Sequence, residues 1–191
     1  MFGNNKYEKI KLGEEFDISS GGTPSKEKEE YLNSPDVSWI GSNMCQNNIL
    51  YKNDGKFISF SGLENSSAKI YPANTVLVAL VGATIGKTAL LKFETATNQN
   101  IAGIQVSNRF TAEYVYFAMQ NLYHEFINLG GGFKMANLSF IRQLEIPIPP
   151  IELQNQFADF VKQVDKQKFE IQKSLQKMEI LYKSLMQEYF G

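Results

Sequence analysis

The chain of 191 residues holds one cysteine, one histidine and one tryptophan, and its charges nearly cancel, to a net −1. A lone Cys45 excludes an internal disulfide framework. With His124 as the single histidine, a Cys/His zinc cluster within one subunit is excluded too. The plain readings of these two residues are a reduced thiol and a helix-face imidazole. The near-neutral charge offers no global attraction to nucleic acid, so any DNA-binding role has to rest on local patches. Long apolar runs are also missing. The longest, Val76 to Val81, is far too short to span a bilayer, and the residues after Met1 lack the basic-then-apolar layout of a signal peptide. A soluble, cytoplasmic protein is expected.

Catalytic signatures are absent in the same way. There is no GxSxG, no paired Cys and His, no spaced carboxylate pair beside a metal-ligand pattern, no dinucleotide fingerprint and no glycine loop for a methyl donor. The stretch Gly82 to Thr88, GATIGKT, follows an apolar strand and ends in Gly-Lys-Thr. Three residues separate its glycines, however, and Val81 stands where a P-loop needs a glycine. The residues after it favour strand over helix, which removes the helix terminus such a site uses. A self-contained enzyme is therefore the weaker class, and no cofactor is expected.

What the chain does contain is ample core and one long periodic segment. The hydrophobic fraction is 43%, with fourteen Phe and nine Tyr, which speaks for a packed interior. Lys6 to Phe16 is an amphipathic opening, and Ser19 to Ser25 a turn-rich loop. Lys26 to Glu30 suits a solvated helical turn. Short strands are expected at Val37–Ile40, Lys56–Phe60 and Ala68–Tyr71. The strongest strand signal, Thr75–Val81, is apolar almost throughout, as a strand buried on both faces would be, and it pairs as a hairpin with Thr88–Phe93. Another strand follows at Ile101–Val106. Thr111 is placed to cap a helix whose apolar positions Val115, Ala118, Met119, Leu122 and Phe126 recur at helical spacing. That helix ends before Gly130, Gly131 and Gly132, which with Phe133 and Lys134 make a loop able to lie close to a phosphate backbone or to serve as a plain connector.

Ile146 to Pro150 is held extended by its prolines, and Pro150 also suits the first turn of a helix with Glu152 near its positive end. Beyond it, Phe157, Val161, Val164, Ile171, Leu175, Met178, Tyr182, Leu185 and Tyr189 follow steps of three and four that fit a heptad interrupted at Lys168. The seam lasts about four and a half heptads, roughly 50 Å as straight helix. Lys168 at a seam position either favours one register or snorkels to solvent. The expected fold class is α+β: a mixed α/β globular domain over residues 1–149, then a long coiled-coil helix over 150–191.

Among binding residues, Lys26, Lys28, Lys52, Lys56, Lys69, Lys87 and Lys134 lie in or beside expected loops and suit phosphate contacts. Thr23 and Ser25 sit in the Gly-rich loop, and Asn43, Asn53 or Asn98 can reach base edges. Each lysine alone also fits an ordinary solvated surface.

Taken in order, Gly21-Gly22-Thr23-Pro24-Ser25, Asn74-Thr75-Val76-Leu77-Val78 leading into Gly82-Ala83-Thr84-Ile85-Gly86-Lys87, Asn98-Gln99-Asn100-Ile101, and Leu144 to Pro150 followed by Gln154 and the long helix resemble the specificity subunit of type I restriction–modification systems. The resemblance implies a target recognition domain that reads one half of a split DNA sequence and a long helix that acts as ruler and docking surface. It also implies that catalysis, methyl donor and ATP belong to partner modification and restriction subunits. The common subunit has two recognition domains and two helices, whereas this chain shows one of each and no internal repeat. Two copies paired through the Phe157 to Tyr189 seam would restore the full set, and a two-fold axis predicts a palindromic split target. Antiparallel pairing would set the readers at opposite ends. Met1 and the ending at Gly191 favour a complete product. The competing class is a protein-interaction scaffold that dimerises by its helix and binds no DNA, which the slightly acidic charge would tolerate.

Overall fold

The computed structural model describes residues 7–129 and 135–190. Two compact units divide between Ile151 and Glu152. In chain order, the first unit contains β1 (Lys9–Lys11), α1 (Leu12–Glu15), β2 (Asp17–Ser20), β3 (Leu32–Ile40), β4 (Asn48–Leu50), β5 (Phe57–Ile58), α2 (Phe60–Glu64), β6 (Ile70–Tyr71) and β7 (Val76–Ala79). It continues with β8 (Thr88–Leu91), β9 (Thr95–Thr97), β10 (Ile101–Gln105), α3 (Ala112–Asn121), α4 (Tyr123–Ile127), α5 (Leu138–Gln143) and β11 (Glu145–Pro147).

A five-stranded sheet runs in the order β2-β10-β7-β8-β4, and a four-stranded sheet in the order β5-β3-β9-β6. β1 and β11 form a separate antiparallel pair, so the two ends of the unit close on each other through Lys9↔Pro147 and Lys11↔Glu145. Most neighbours are antiparallel. Two pairs are parallel, β4 with β8 and β3 with β9.

The apolar run at the centre behaves as its composition dictates. Val76, Leu77, Val78 and Ala79 of β7 are all wholly buried, which a strand covered on both faces requires. It forms the expected hairpin with β8, in the register Val76↔Leu90 and Val78↔Thr88. The main core draws Ile40, Tyr71, Leu77, Leu91 and Ile101 from both sheets and buries Cys45 among them. Burial pushes the Cys45 thiol up to about 12, which makes it an inert core group. A second cluster, Val37, Ile58, Ala68 and Ala96, sits under Leu32, Trp39 and Leu63.

Caps decide where the helices begin. Thr111 accepts from the Tyr114 amide at 3.2 Å, as expected for α3. Asn137 caps α5 from the Phe140 amide at 2.8 Å. Ser59 does the same for α2 by accepting from the Gly62 amide at 3.0 Å. That cap corrects the strand expected over Lys56–Phe60: pairing ends at Ile58, because the Ser59 side chain turns the chain into a helix that starts at Phe60. The strand expected over Ala68–Tyr71 is likewise confined to Ile70–Tyr71. Ser19 and Ser20, expected in a loop, instead finish β2, where Ser19↔Gly103 and Ser20↔Ala102 pair with β10.

In the second unit α6 (Ile151–Phe190) carries 40 residues, about 60 Å at 1.5 Å per residue. Ile171, Leu175, Met178, Tyr182, Leu185 and Tyr189 are all exposed on it. Lys168 is exposed as well, while Phe157, Val161 and Val164 are half-buried.

Candidate nucleic-acid interface

The Gly21–Ser25 segment lies flat on the end of β9, and two glycines make that possible. A Cβ on Gly21 would collide with the Thr97 carbonyl, and one on Gly22 with the Ser67 hydroxyl. The Gly22 amide donates to the Thr97 carbonyl at 2.9 Å. The Trp39 indole N–H donates to the Gly22 carbonyl at 3.0 Å. So anchored, the loop carries Thr23 to a position where its hydroxyl donates to Oε1 of Gln99 at 2.7 Å. Beside it Thr23, Lys26, Pro35, Trp39, Lys56 and Phe57 help line an open cleft of about 560 Å³. An aromatic wall flanked by two ammonium groups suits a stacked or edge-on base with its phosphate nearby.

The same surface continues through the Asn98–Asn100 turn, which joins β9 to β10. Asn98 accepts from the Asn100 amide at 3.1 Å through its own side chain, and its amide donates to the Ile40 carbonyl at 3.1 Å. Gly41 lies next to both Asn43 and Asn98, where a Cβ would meet Asn43 Oδ1 at 2.7 Å and Asn98 Nδ2 at 3.6 Å. From Asn43 the path leads to Gln46, whose Nε2 donates to the Asn43 carbonyl at 3.0 Å. Gln46 Oε1 in turn accepts from the Lys87 ammonium at 2.8 Å. Thr23, Lys26 and Lys56, scattered along the sequence, thus line one cleft, and Asn43 and Lys87 meet through Gln46.

The remaining expected residues are placed less centrally. Ser25 is exposed, with its hydroxyl at 3.4 Å from the Glu27 amide. Lys52 is exposed in the turn that leads to Lys56, and Lys56 itself pairs with Asp54 at 2.8 Å. Lys69 is exposed just ahead of β6, an edge strand. Lys26, Lys52 and Lys69 make no ion pair among the described residues, which leaves their charge to solvent or a ligand. Lys134 and the glycines before it lie outside the described residues. Asn53 is engaged locally: its Nδ2 donates to the Lys56 carbonyl and its Oδ1 accepts from the Gly55 amide, holding the local turn. Lys28 is engaged too: its ammonium donates to the Tyr31 hydroxyl at 2.8 Å, which raises its pKa.

Sequence reasoning does not single out Gln46, Gln99 or Trp39 as contact residues. The Asn-Gln-Asn triplet is the available signal for Gln99, whereas nothing local marks Gln46 as the partner of Lys87. The GATIGKT stretch forms a 3-10 turn, Gly82–Thr84, between two antiparallel strands, so no helix N-terminus follows it. Among the described residues no group of His, Cys, Asp and Glu is arranged to hold a metal. Among them too, no helix is long and apolar enough to cross a membrane.

Comparison with known proteins bears on the chain as a whole. The type I restriction modification DNA specificity domain model matches residues 4–181. The chain is 24% identical over 161 residues to the specificity subunit of an Escherichia coli type I restriction enzyme, covering 81% of this chain and 40% of that subunit. It is 27% identical over 155 residues to a type I specificity subunit of Methanocaldococcus jannaschii, covering 78% of this chain and 35% of that one. The chain therefore spans well under half the length of these relatives. In fold, it superposes on a chain of a type I restriction–modification complex with a TM-score of 0.75 at 17% identity, over 96% of this chain and 44% of that one. An HsdS subunit from Thermoanaerobacter tengcongensis superposes with a TM-score of 0.67 at 14% identity, over 89% and 40% of the two chains. These solved structures share the mixed α+β domain and long helix, and the family match runs almost end to end: the chain belongs to the type I restriction modification DNA specificity domain family.

Proposed function

We propose that this chain is a non-catalytic specificity component of a type I restriction–modification complex. Residues 1–149 read one half of a split double-stranded DNA target, and the helix of 150–191 pairs with a second copy and docks modification subunits, with restriction subunits joining the assembly. The observation that supports this reading is the gathering of Thr23, Lys26 and Lys56 around the Trp39 cleft, with Gln99 bonded to Thr23. The relatives' length adds support. One reader and one helix span 40% of the Escherichia coli subunit, so two copies supply what a longer chain supplies alone. In such a dimer a palindromic split target follows from the two-fold axis.

The helix supports docking in its own right. At 100° per residue, Leu181, Leu185, Met178, Ile171, Tyr189, Tyr182, Leu175 and Met186 spread over an arc of about 140°. All are exposed. A two-stranded seam uses a narrower stripe, so this face has room for more than one partner helix. Methyl donor and ATP then belong to the partner subunits.

The test is retention of duplex DNA by the chain assembled with its modification subunits, measured against salt. Lys26→Ala/Lys56→Ala should weaken retention and reduce the log–log salt slope by about 2, one for each phosphate that gives up its ammonium partner. No retention at any salt concentration would instead favour a dimeric protein-interaction scaffold that binds no DNA.

A further inference from the structure

Resting on the DNA-reading assignment above, we infer that Lys87 grips a backbone phosphate of the target duplex whatever the sequence, and that Gln46 is the positioning residue that aims it. Lys87 is half-buried, and its ammonium donates to Gln46 Oε1 at 2.8 Å. An ammonium has three donors and no acceptor, so two N–H groups remain for a ligand that accepts. The partner that holds it is neutral. Lys56 and Lys92, by contrast, each meet a carboxylate at 2.8 Å, Asp54 and Glu113. Lys87 makes no ion pair among the described residues, so it is held in place with its charge uncompensated.

Both residues stand on backbone that is tied down. The Lys87 amide donates to the Thr84 carbonyl at 2.9 Å, and the Lys87 carbonyl accepts from the Ala79 amide at 2.9 Å. Gly86 just before it has a φ of 74° and packs so closely on Phe126 that a Cβ would collide with that side chain. Across from it, Gln46 Nε2 donates to the Asn43 carbonyl at 3.0 Å, and the Gln46 backbone amide donates to Asn48 Oδ1 at 3.0 Å. Asn47 clips this loop to the residue after Lys87: its amide donates to the Thr88 carbonyl at 2.8 Å, and its Oδ1 accepts from the Thr88 amide at 2.9 Å. The loop of residues 43–48 is thus fastened to the segment that carries Lys87.

The chemistry of the contact follows. A free lysine gives up much rotamer freedom when it meets an anion, and one already fixed gives up less. A duplex offers an ammonium two kinds of acceptor, the phosphate oxygens and the groove edges of bases. A single ammonium is a point charge without a fork, which suits the phosphate, whose charge it neutralises. The loop that holds it begins beside Gly41, where Asn43 neighbours Asn98, so this grip borders the turn that carries Gln99.

The test uses the chain assembled with its modification subunits, a consensus selected from a randomised duplex pool, and retention of the selected duplex measured against salt. Lys87→Ala should lower the log–log salt slope by about 1, weaken binding alike across sequences and leave the consensus unchanged. Gln46→Ala keeps the ammonium, so the slope should hold while retention falls by about two- to tenfold. Gln46→Glu keeps an acceptor for Lys87 and adds a carboxylate, so the slope should fall toward that of Lys87→Ala, a change that a merely structural glutamine would not cause. In a Lys87→Ala background both Gln46 substitutions should lose their effect. Unchanged melting of the three single variants confirms that the fold is not what has been altered.

The failures are distinguishable. A wild type that selects no sequence overturns the DNA-reading assignment and this inference with it. A wild type with a consensus and a salt slope that Lys87→Ala leaves intact overturns the phosphate contact alone. A consensus altered at one position by Lys87→Ala would make it a base contact and overturn the sequence-independent role. Gln46→Ala binding as the wild type does, or Gln46 effects that persist undiminished in the Lys87→Ala background, would overturn the positioning role.

Discussion

Tyr71 sits in the globular unit with none of its side chain reaching solvent, its hydroxyl donating to the Ser19 carbonyl at 3.0 Å, whereas Tyr182 on α6 is 63% exposed. The contrast holds for the two units at large. In the sheets, apolar residues face one another and every buried strand finds pairing partners within the same unit. On the distal half of α6, isoleucine, leucine, methionine and tyrosine face outward over several turns. A soluble surface does not carry a contiguous apolar stripe of that length without a use for it. One unit buries its apolar residues within itself, and the other leaves a stripe of them exposed.

Substitutions can break this contrast from either side. The largest effect is expected on α6. Leu175→Asp/Leu185→Asp places four charges in the seam of a dimer, and each leucine removed forfeits ~1.5–3 kcal/mol of burial, so self-association should weaken at least about a thousandfold. Solution mass should fall to that of a monomer while the melting of the globular unit stays put. A wild-type chain that is already monomeric would end the paired-reader model and the palindrome with it. Tyr71→Ala should show the converse, with a loss of about 3–5 kcal/mol of stability and no change in solution mass. Denaturant unfolding of the two variants side by side checks both.

A smaller effect is expected where the sheets touch. Gly103 of β10 packs under the Tyr71 ring so closely that a Cβ there would collide with it. Gly103→Ala should destabilise by about 1–3 kcal/mol through overpacking, visible as a lower denaturant midpoint. The effect that is smallest at neutral pH appears only in alkali. Cys45 rises from 9.0 unfolded to about 12 folded because burial disfavours the thiolate. The neutral thiol is thus favoured by folding, so its contribution is fully present below pH 9 and is lost as pH rises toward 12. The slope approaches about 1.4 kcal/mol per pH unit in that window. Cys45→Ala should remove this component and leave that of Tyr71 and Tyr114, which burial also raises.

The features legible from residues alone are those with strong local periodicity. β7 and β8 announce themselves as an apolar run, a glycine-bounded turn and a second run. α3 has its threonine cap and helical spacing, and α6 its heptads. The strands that escape such reading are short and depend on distant partners. Thr95-Ala96-Thr97 contains no apolar run at all, yet all three residues are buried because β3 and β6 flank them. Asn48–Leu50 is a strand only because β8 lies alongside. Phe57 and Ile58 have the composition of a longer strand, and a serine cap decides otherwise. The binding surface divides the same way. Its lysines and the Gly-Gly-Thr-Pro-Ser loop are visible as residue types in loops, but the Thr23–Gln99 hydrogen bond joins positions 76 residues apart, and no local pattern encodes it.

The two parallel pairings also govern the order in which the chain can acquire its structure. β3 is synthesised early but its parallel neighbour is β9, and β4 must wait for β8 in the same way. β2, near the start, pairs with β10, and β1 with β11. As the chain emerges from a ribosome, β3 can pair early with β5, but β1, β2 and β6 wait for partners made after residue 94. Folding should be slow for a unit of this size, dominated by long-range contacts, and concentrated at the end of synthesis. A nascent chain stopped before β8 would leave β1, β2, β4, β6 and β7 unpaired, with only β3 and β5 joined.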